Sequence, residues 1–138
     1  MPSVRQQINV AGSPRTVWER LTTAEGLSSW WADEARVDPT KGGRLTITSE
    51  GDDGEPLEGR GTFLEARPTR KLEIKFDPGS PGPSAGSRLT FQLARDGDET
   101  RVILIHAGAF LDDEELFQRY TKEWRGALQA LRSAIESD

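Results

Sequence analysis

The stretch DDEELFQRYTKEWRGALQALRSAIESD, residues 112–138, decides the fold. Phe117, Tyr120, Trp124, Leu128, Leu131 and Ile135 recur every three or four residues, which places them on one face of a helix. Leu116, Ala127 and Ala134 widen that face, and Glu123, Arg125, Gln129, Arg132 and Glu136 fall mostly away from it. The acidic start (Asp112, Asp113, Glu114, Glu115) suits the positive end of a helix dipole. Most of the stability of such a helix in water comes from packing its apolar face. The remaining chain has to supply a broad apolar surface for it.

Upstream, the pattern is mostly of period two. Val4, Gln6, Ile8 and Val10 alternate with Arg5, Gln7 and Asn9, a strand. Gly12-Ser13-Pro14 ends it and opens a short helix, with Ser13 as N-cap and Pro14 at the first helical position. Val17, Trp18 and Leu21 mark its buried side, and a second short helix starts at Thr23-Ala24-Glu25 and ends near GLSSWW, residues 26–31. Strands follow at 35–37, 44–49 and 57–66, with Gly51-Asp52-Asp53-Gly54 as a hairpin turn. Three further strands carry Leu72, Ile74 and Phe76, then Leu89, Phe91 and Leu93, then Val102, Leu104 and His106 on one face. DPGSPGPSAGS, residues 77–87, reads as a mobile, long hairpin loop because Gly and Pro dominate it. The order predicts an α+β domain over residues 1–138. An antiparallel sheet of about six to seven strands wraps the long C-terminal helix, and two short helices follow the first strand. A curved sheet gripping a helix leaves a concave space where a small ligand binds.

With 138 residues, the chain is one domain by length. A net charge of −5 argues against a nucleic-acid backbone or an anionic membrane surface as partner. No apolar run approaches the roughly 18 residues of a membrane span, and the N-terminus lacks a signal-peptide core, so a cytoplasmic location is expected. There is no cysteine, which removes disulfides, thiolate nucleophiles and thiolate metal sites.

The ordered set PRTVW (14–18), LSSWW (27–31), Gly42-Gly43, GTFLEARPTRKLEIKF (61–76), LTFQL (89–93), ETRVILIHAG (99–108) and EWRGALQALRSAI (123–135) resembles the helix-grip superfamily (SRPBCC). That superfamily includes START lipid-transfer domains, birch-pollen-allergen-like proteins and polyketide cyclases. Within it the chain is most similar to the activator of heat-shock protein 90 ATPase homologue (Aha-type) family. The resemblance implies the helix-grip fold. It leaves three activities open: carriage of an apolar molecule, polyketide cyclisation or hydrolysis, and action on a chaperone. The 77–87 loop is longer than is usual in that family.

The residues expected around a ligand are Trp30, Trp31, Phe63, Ile74, Phe76, Phe91, Leu104, His106, Tyr120, Trp124 and Leu128. Trp30 and Trp31 are adjacent and cannot share one face: they either wall an apolar ligand or close the edge of the core. His106, the single histidine, is either a general acid or base or a neutral buried imidazole bonded to a neighbour. Tyr120 and Trp124 lie one turn apart, and the Tyr120 hydroxyl points toward a ligand, toward His106 or into ordinary packing. His106 and Tyr120 are the candidates for catalysis, with Asp33 or Glu34 as the alternative second polar group beside His106 if either enters an apolar mouth. Phe63 and Leu64 are both apolar, which leaves the facing of that strand open. Asp112-Asp113 lacks calcium-loop spacing, Arg67, Arg70 and Lys71 read as a wet surface patch, and neither a metal nor a cofactor is expected. The expected partner is a small apolar molecule, with a chaperone or other protein as the alternative, and the chain is a monomer or a homodimer. The leading expectation is a binding module rather than an enzyme.

Overall fold

A computed structural model describes residues 2–51 and 53–137. Asp52, in the turn expected at 51–54, and Asp138, at the expected helix end, lie outside the described residues. The chain runs β1 (Ser3–Val10), α1 (Pro14–Thr22), α2 (Ala24–Ser28), β2 (Glu34–Val37), β3 (Arg44–Glu50), β4 (Pro56–Arg67), β5 (Lys71–Phe76), β6 (Arg88–Asp96), β7 (Glu99–Ala107), a 3-10 turn (Ala109–Asp112) and α3 (Glu114–Glu136). The strands form one seven-stranded antiparallel sheet in the order β1-β7-β6-β5-β4-β3-β2. This is the helix-grip architecture expected from the residue pattern.

Local chemistry sets the element ends. Ser13 Oγ accepts from the Thr16 amide at 3.2 Å, with Pro14 following it in the first turn of α1. Thr23 caps α2 through Gly26 N at 2.9 Å. Asp113 Oδ1 accepts from Leu116 N at 3.1 Å, so the long helix begins one residue after this cap and the preceding residues tighten into the 3-10 turn.

Alternation assigns the inner face: Val4, Ile8 and Val10 on β1, Val102, Leu104 and His106 on β7, Leu89, Phe91 and Leu93 on β6, and Leu72, Ile74 and Phe76 on β5 are all buried. On β4 the register shifts between Phe63 and Glu65, with Leu64 as the extra residue. This bulge resolves the facing of the two adjacent apolar residues: Phe63 turns inward at 1% exposure, and the strand bends around the core.

The helix is not gripped evenly. Trp124, Leu128, Leu131 and Ile135 are buried, whereas Phe117 and Tyr120 are only half-buried. The C-terminal half of α3 is sealed onto the sheet, and Glu136 Oε2 accepts from Ala11 N at 2.8 Å to fix its last turn. The N-terminal half stands over a hollow.

The 77–87 loop differs from the mobile connection expected of it. Its backbone is pinned by Asp77 N to Arg60 O at 2.9 Å, Ser80 N to Asp77 O at 3.0 Å and Gly86 N to Phe76 O at 3.1 Å. Arg60 N donates to Ser80 Oγ at 3.0 Å, and Arg44 clasps Asp77 through two hydrogen bonds of 3.0 and 2.6 Å. Ser80 and Ser87 are buried. The Gly-Pro composition shapes turns here, and serine hydroxyls and the chain's own carbonyls hold them.

Candidate functional site

Beneath the N-terminal half of α3 lies an open cavity of about 720 Å³. One wall is the helix face Arg119, Tyr120, Glu123, Trp124 and Ala127. The opposite wall is the β3–β4 hairpin, with Ile47, Ser49, Leu57 and Gly59. Trp31, Phe76 and His106 lie between them, and residues 81–84 of the β5–β6 loop close one end.

Small residues make this hollow. Ser49 continues the inward parity of Leu45 and Ile47, and Gly59 continues that of Phe63. Where the neighbouring strands project Phe or Leu into the core, these positions project a hydroxymethyl group or nothing. A side chain at Gly61 would sit 2.9 Å from the Lys75 carbonyl, so the close approach of β5 also requires glycine there.

Aromatic rings form the lining. Trp31 stacks on Trp30 at 5.6 Å between ring centroids, tilts against Trp124 at 5.6 Å and meets the edge of Phe91 at 6.3 Å. Trp30 is the more deeply placed of the pair, with its indole N–H donating to Arg20 O at 2.9 Å. Trp31 faces the cavity. Trp30 thus packs into the core and Trp31 borders the cavity.

His106 sits at the centre of a second ring cluster, with Phe76 at 6.0 Å, Phe110 at 5.1 Å, and Tyr120 and Trp124 each at 5.7 Å. Its two nitrogens are both engaged. Trp124 Nε1 donates to Nδ1 at 3.0 Å, and Nε2 lies 2.8 Å from Ser87 Oγ. Indole nitrogen only donates, so Nδ1 is the bare nitrogen and Nε2 carries the hydrogen. Nε2–H therefore donates to Ser87 Oγ, whose own hydrogen goes to Ser84 O at 2.6 Å. Ser84 O also accepts from Ser87 N at 3.0 Å, so one carbonyl ends the chain and closes the loop turn. Burial pushes the imidazole from its usual 6.5 down to about 4, so it is neutral at physiological pH. No lone pair remains for a general base, and the hydrogen bonds of His106 go to Trp124 and Ser87, while Tyr120 meets it through ring contact. Of the two readings of this histidine, the geometry fits the neutral buried imidazole bonded to its neighbours, which here ties helix, sheet and loop together.

Of the residues expected around a ligand, Trp31, Phe76, His106, Tyr120 and Trp124 border the cavity. Trp30, Phe63, Ile74, Phe91, Leu104 and Leu128 lie in the core behind it. Asp33 and Glu34 are exposed and border a separate, shallow polar depression with Glu25 and Arg36, away from the aromatic cavity. Arg67 and Lys71 both pair with Glu65, which keeps that hairpin patch a surface ion-pair group. No group of three or more His, Asp or Glu able to hold a metal occurs among the described residues. Among them, no helix is long and apolar enough to cross a membrane. Sequence reasoning missed Ser87 and Phe110 around His106, and Ile47, Ser49, Leu57, Gly59 and Ser84 around the cavity.

The family model for Activator of Hsp90 ATPase homolog 1-like protein matches residues 11–136. Among solved structures, the Aha1 dimer of Colwellia psychrerythraea superposes with a TM-score of 0.80 at 20% identity, covering 99% of this chain and 97% of that one. Protein MLL2253 of Mesorhizobium loti gives 0.82 at 18% identity over 99% and 98% of the two chains. CalU16 of Micromonospora echinospora gives 0.77 at 22% identity over 96% of this chain and 75% of that chain. At these identities the likeness is one of fold. No curated protein matches the sequence.

Proposed function

This chain belongs to the Activator of Hsp90 ATPase homolog 1-like family, and from that premise we propose that it binds a small, mostly apolar molecule under the N-terminal half of α3. The observation that carries this reading is the open cavity of about 720 Å³ bordered by Trp31, Phe76, Tyr120 and Trp124. Its volume falls within the roughly 300–1,000 Å³ range of small-molecule sites. Rings at such a wall offer large apolar area at little cost in side-chain entropy.

The enzymatic alternative draws no support from His106, whose nitrogens are occupied and which carries no charge at neutral pH. A chaperone-docking domain calls for a filled core and a separate exposed apolar patch. Among the described residues, the only exposed large apolar side chain is Leu57, and it stands on the cavity wall.

The test is titration with an uncharged fluorophore, N-phenyl-1-naphthylamine, against the native protein and against Ala127→Phe and Ser49→Phe. Each variant fills the cavity from a different wall. Saturable enhancement in the native protein, lost in both folded variants, is the expected result. Equal enhancement in all three means the dye sits elsewhere and removes the proposal.

A further inference from the structure

Charge at the cavity mouth is one-sided. Glu50, Asp53 and Glu55 border it from the β3–β4 hairpin, and Glu123 borders it from α3. Among the described residues Arg119 is the one basic residue on the same border, and its Nε donates to Glu123 Oε1 at 3.1 Å. Among the described residues no Lys or Arg pairs with Glu50, Asp53 or Glu55. Asp53 instead uses Oδ1 to accept from Glu55 N at 3.0 Å.

Inside the mouth, Trp31, Phe76, Tyr120 and Trp124 present aromatic rings. Ring faces carry negative quadrupole potential and attract cations, and acids at the rim of a low-dielectric cleft focus the same sign of field. An amphiphile entering chain-first leaves its head at the rim. A carboxylate or phosphate head there meets the hairpin carboxylates and an arginine already bonded to Glu123, whereas an ammonium head meets attraction from both rim and rings.

Building on the binding reading above, we infer that the cavity selects amphiphiles with a cationic head, of the alkylamine or quaternary-ammonium class, over those with an anionic head. The cavity sets the apolar requirement and the hairpin acids set the sign.

Three probes with the same chain length test this: dodecyltrimethylammonium, 1-dodecanol and dodecanoate. Each is titrated below its micelle concentration at pH 7 by tryptophan fluorescence and calorimetry. The cation is expected to bind at least about tenfold tighter than dodecanoate, with a preference that shrinks as salt rises. In the folded triple variant Glu50→Gln/Asp53→Asn/Glu55→Gln, the cation-to-anion ratio should fall toward one while dodecanol affinity holds. Ala127→Phe, which keeps every rim charge, should lose the cation as well. If dodecanol binds and the two charged probes bind equally, or dodecanoate binds tighter, the charge selection is wrong and the apolar site stands. If the cation binds Ala127→Phe as well as the native protein, it is coating an acidic surface and the inference is overturned. If none of the three binds, the cavity reading falls with it.

Discussion

Trp124 Nε1 donates a 3.0 Å hydrogen bond to Nδ1 of His106, joining the middle of α3 to the inner face of β7. The bond is buried, and it determines the tautomer of the imidazole. Replacing Trp124 by Phe keeps an aromatic ring but leaves Nδ1 without its donor. The cost expected is about 2–4 kcal/mol, combining an orphaned buried acceptor with lost packing volume. Urea unfolding of Trp124→Phe, His106→Leu and the double variant closes a cycle. The two single changes should be strongly non-additive, since the double variant leaves no unpaired nitrogen from this bond. Additive effects would mean the bond contributes nothing specific.

Protonation of His106 provides an independent check on the same contact. Burial lowers its folded-state value from 6.5 to about 4. Between those values the unfolded chain binds a proton that the folded protein does not. The stabilisation is therefore complete above pH 6.5 and is lost progressively as pH falls from 6.5 through 4, by about 3 kcal/mol in all. Asp77, whose carboxyl the Arg44 guanidinium holds below its usual 3.8, adds a further loss only in more acid solution. With one histidine in the chain, the imidazole C2 proton is a single resolvable NMR signal. Its shift should stay flat down to about pH 5. A midpoint near 6.5 contradicts the buried, neutral assignment.

The sheet and its grip on the helix were legible because alternation is local. Val102, Leu104 and His106 share a parity, as do Leu72, Ile74 and Phe76, and that parity is the inner face. Parity reports the face and not the position beneath the helix. Phe63, Ile74 and Leu104 therefore read like Phe76, yet they lie in the sealed core while Phe76 borders the cavity. The signal for the hollow was present in the neighbouring strands, as Ser49 and Gly59 at inward positions. It is a signal of missing volume, which a search for large apolar residues passes over. Ser87 was illegible for another reason. Its partner His106 is far along the chain, and the surrounding Gly and Pro residues match the composition of a loose loop.

Gly108 owes its identity to that same serine. A Cβ at Gly108 would stand 2.8 Å from Ser87 Cβ and 2.9 Å from the Phe110 ring. Gly108→Ala must push the β5–β6 loop away from β7 and stretch the His106–Ser87 bond. A loss of about 1–3 kcal/mol is expected, with faster amide exchange at Gly86 and Ser87. Ser87→Ala, which removes the hydroxyl but not the approach, should cost less, about 1–2 kcal/mol. Unchanged exchange in Gly108→Ala would show that the loop tolerates the displacement.

Gly126 presents the opposite case and allows a prediction of positive sign. It lies inside α3 on the solvent side, and an added Cβ meets nothing within 4 Å. Glycine there adds conformational freedom to the unfolded chain and contributes no packing to the folded one. Gly126→Ala should raise stability by about 0.5–1 kcal/mol. Because Gly126 is absent from the cavity border, the variant should bind N-phenyl-1-naphthylamine with unchanged affinity. Stability and binding therefore separate at this position, whereas Ala127→Phe, one residue further on, is expected to abolish binding. If Gly126→Ala weakens the dye as well, the helix must move to admit a ligand, and extra helical rigidity would be what opposes that movement.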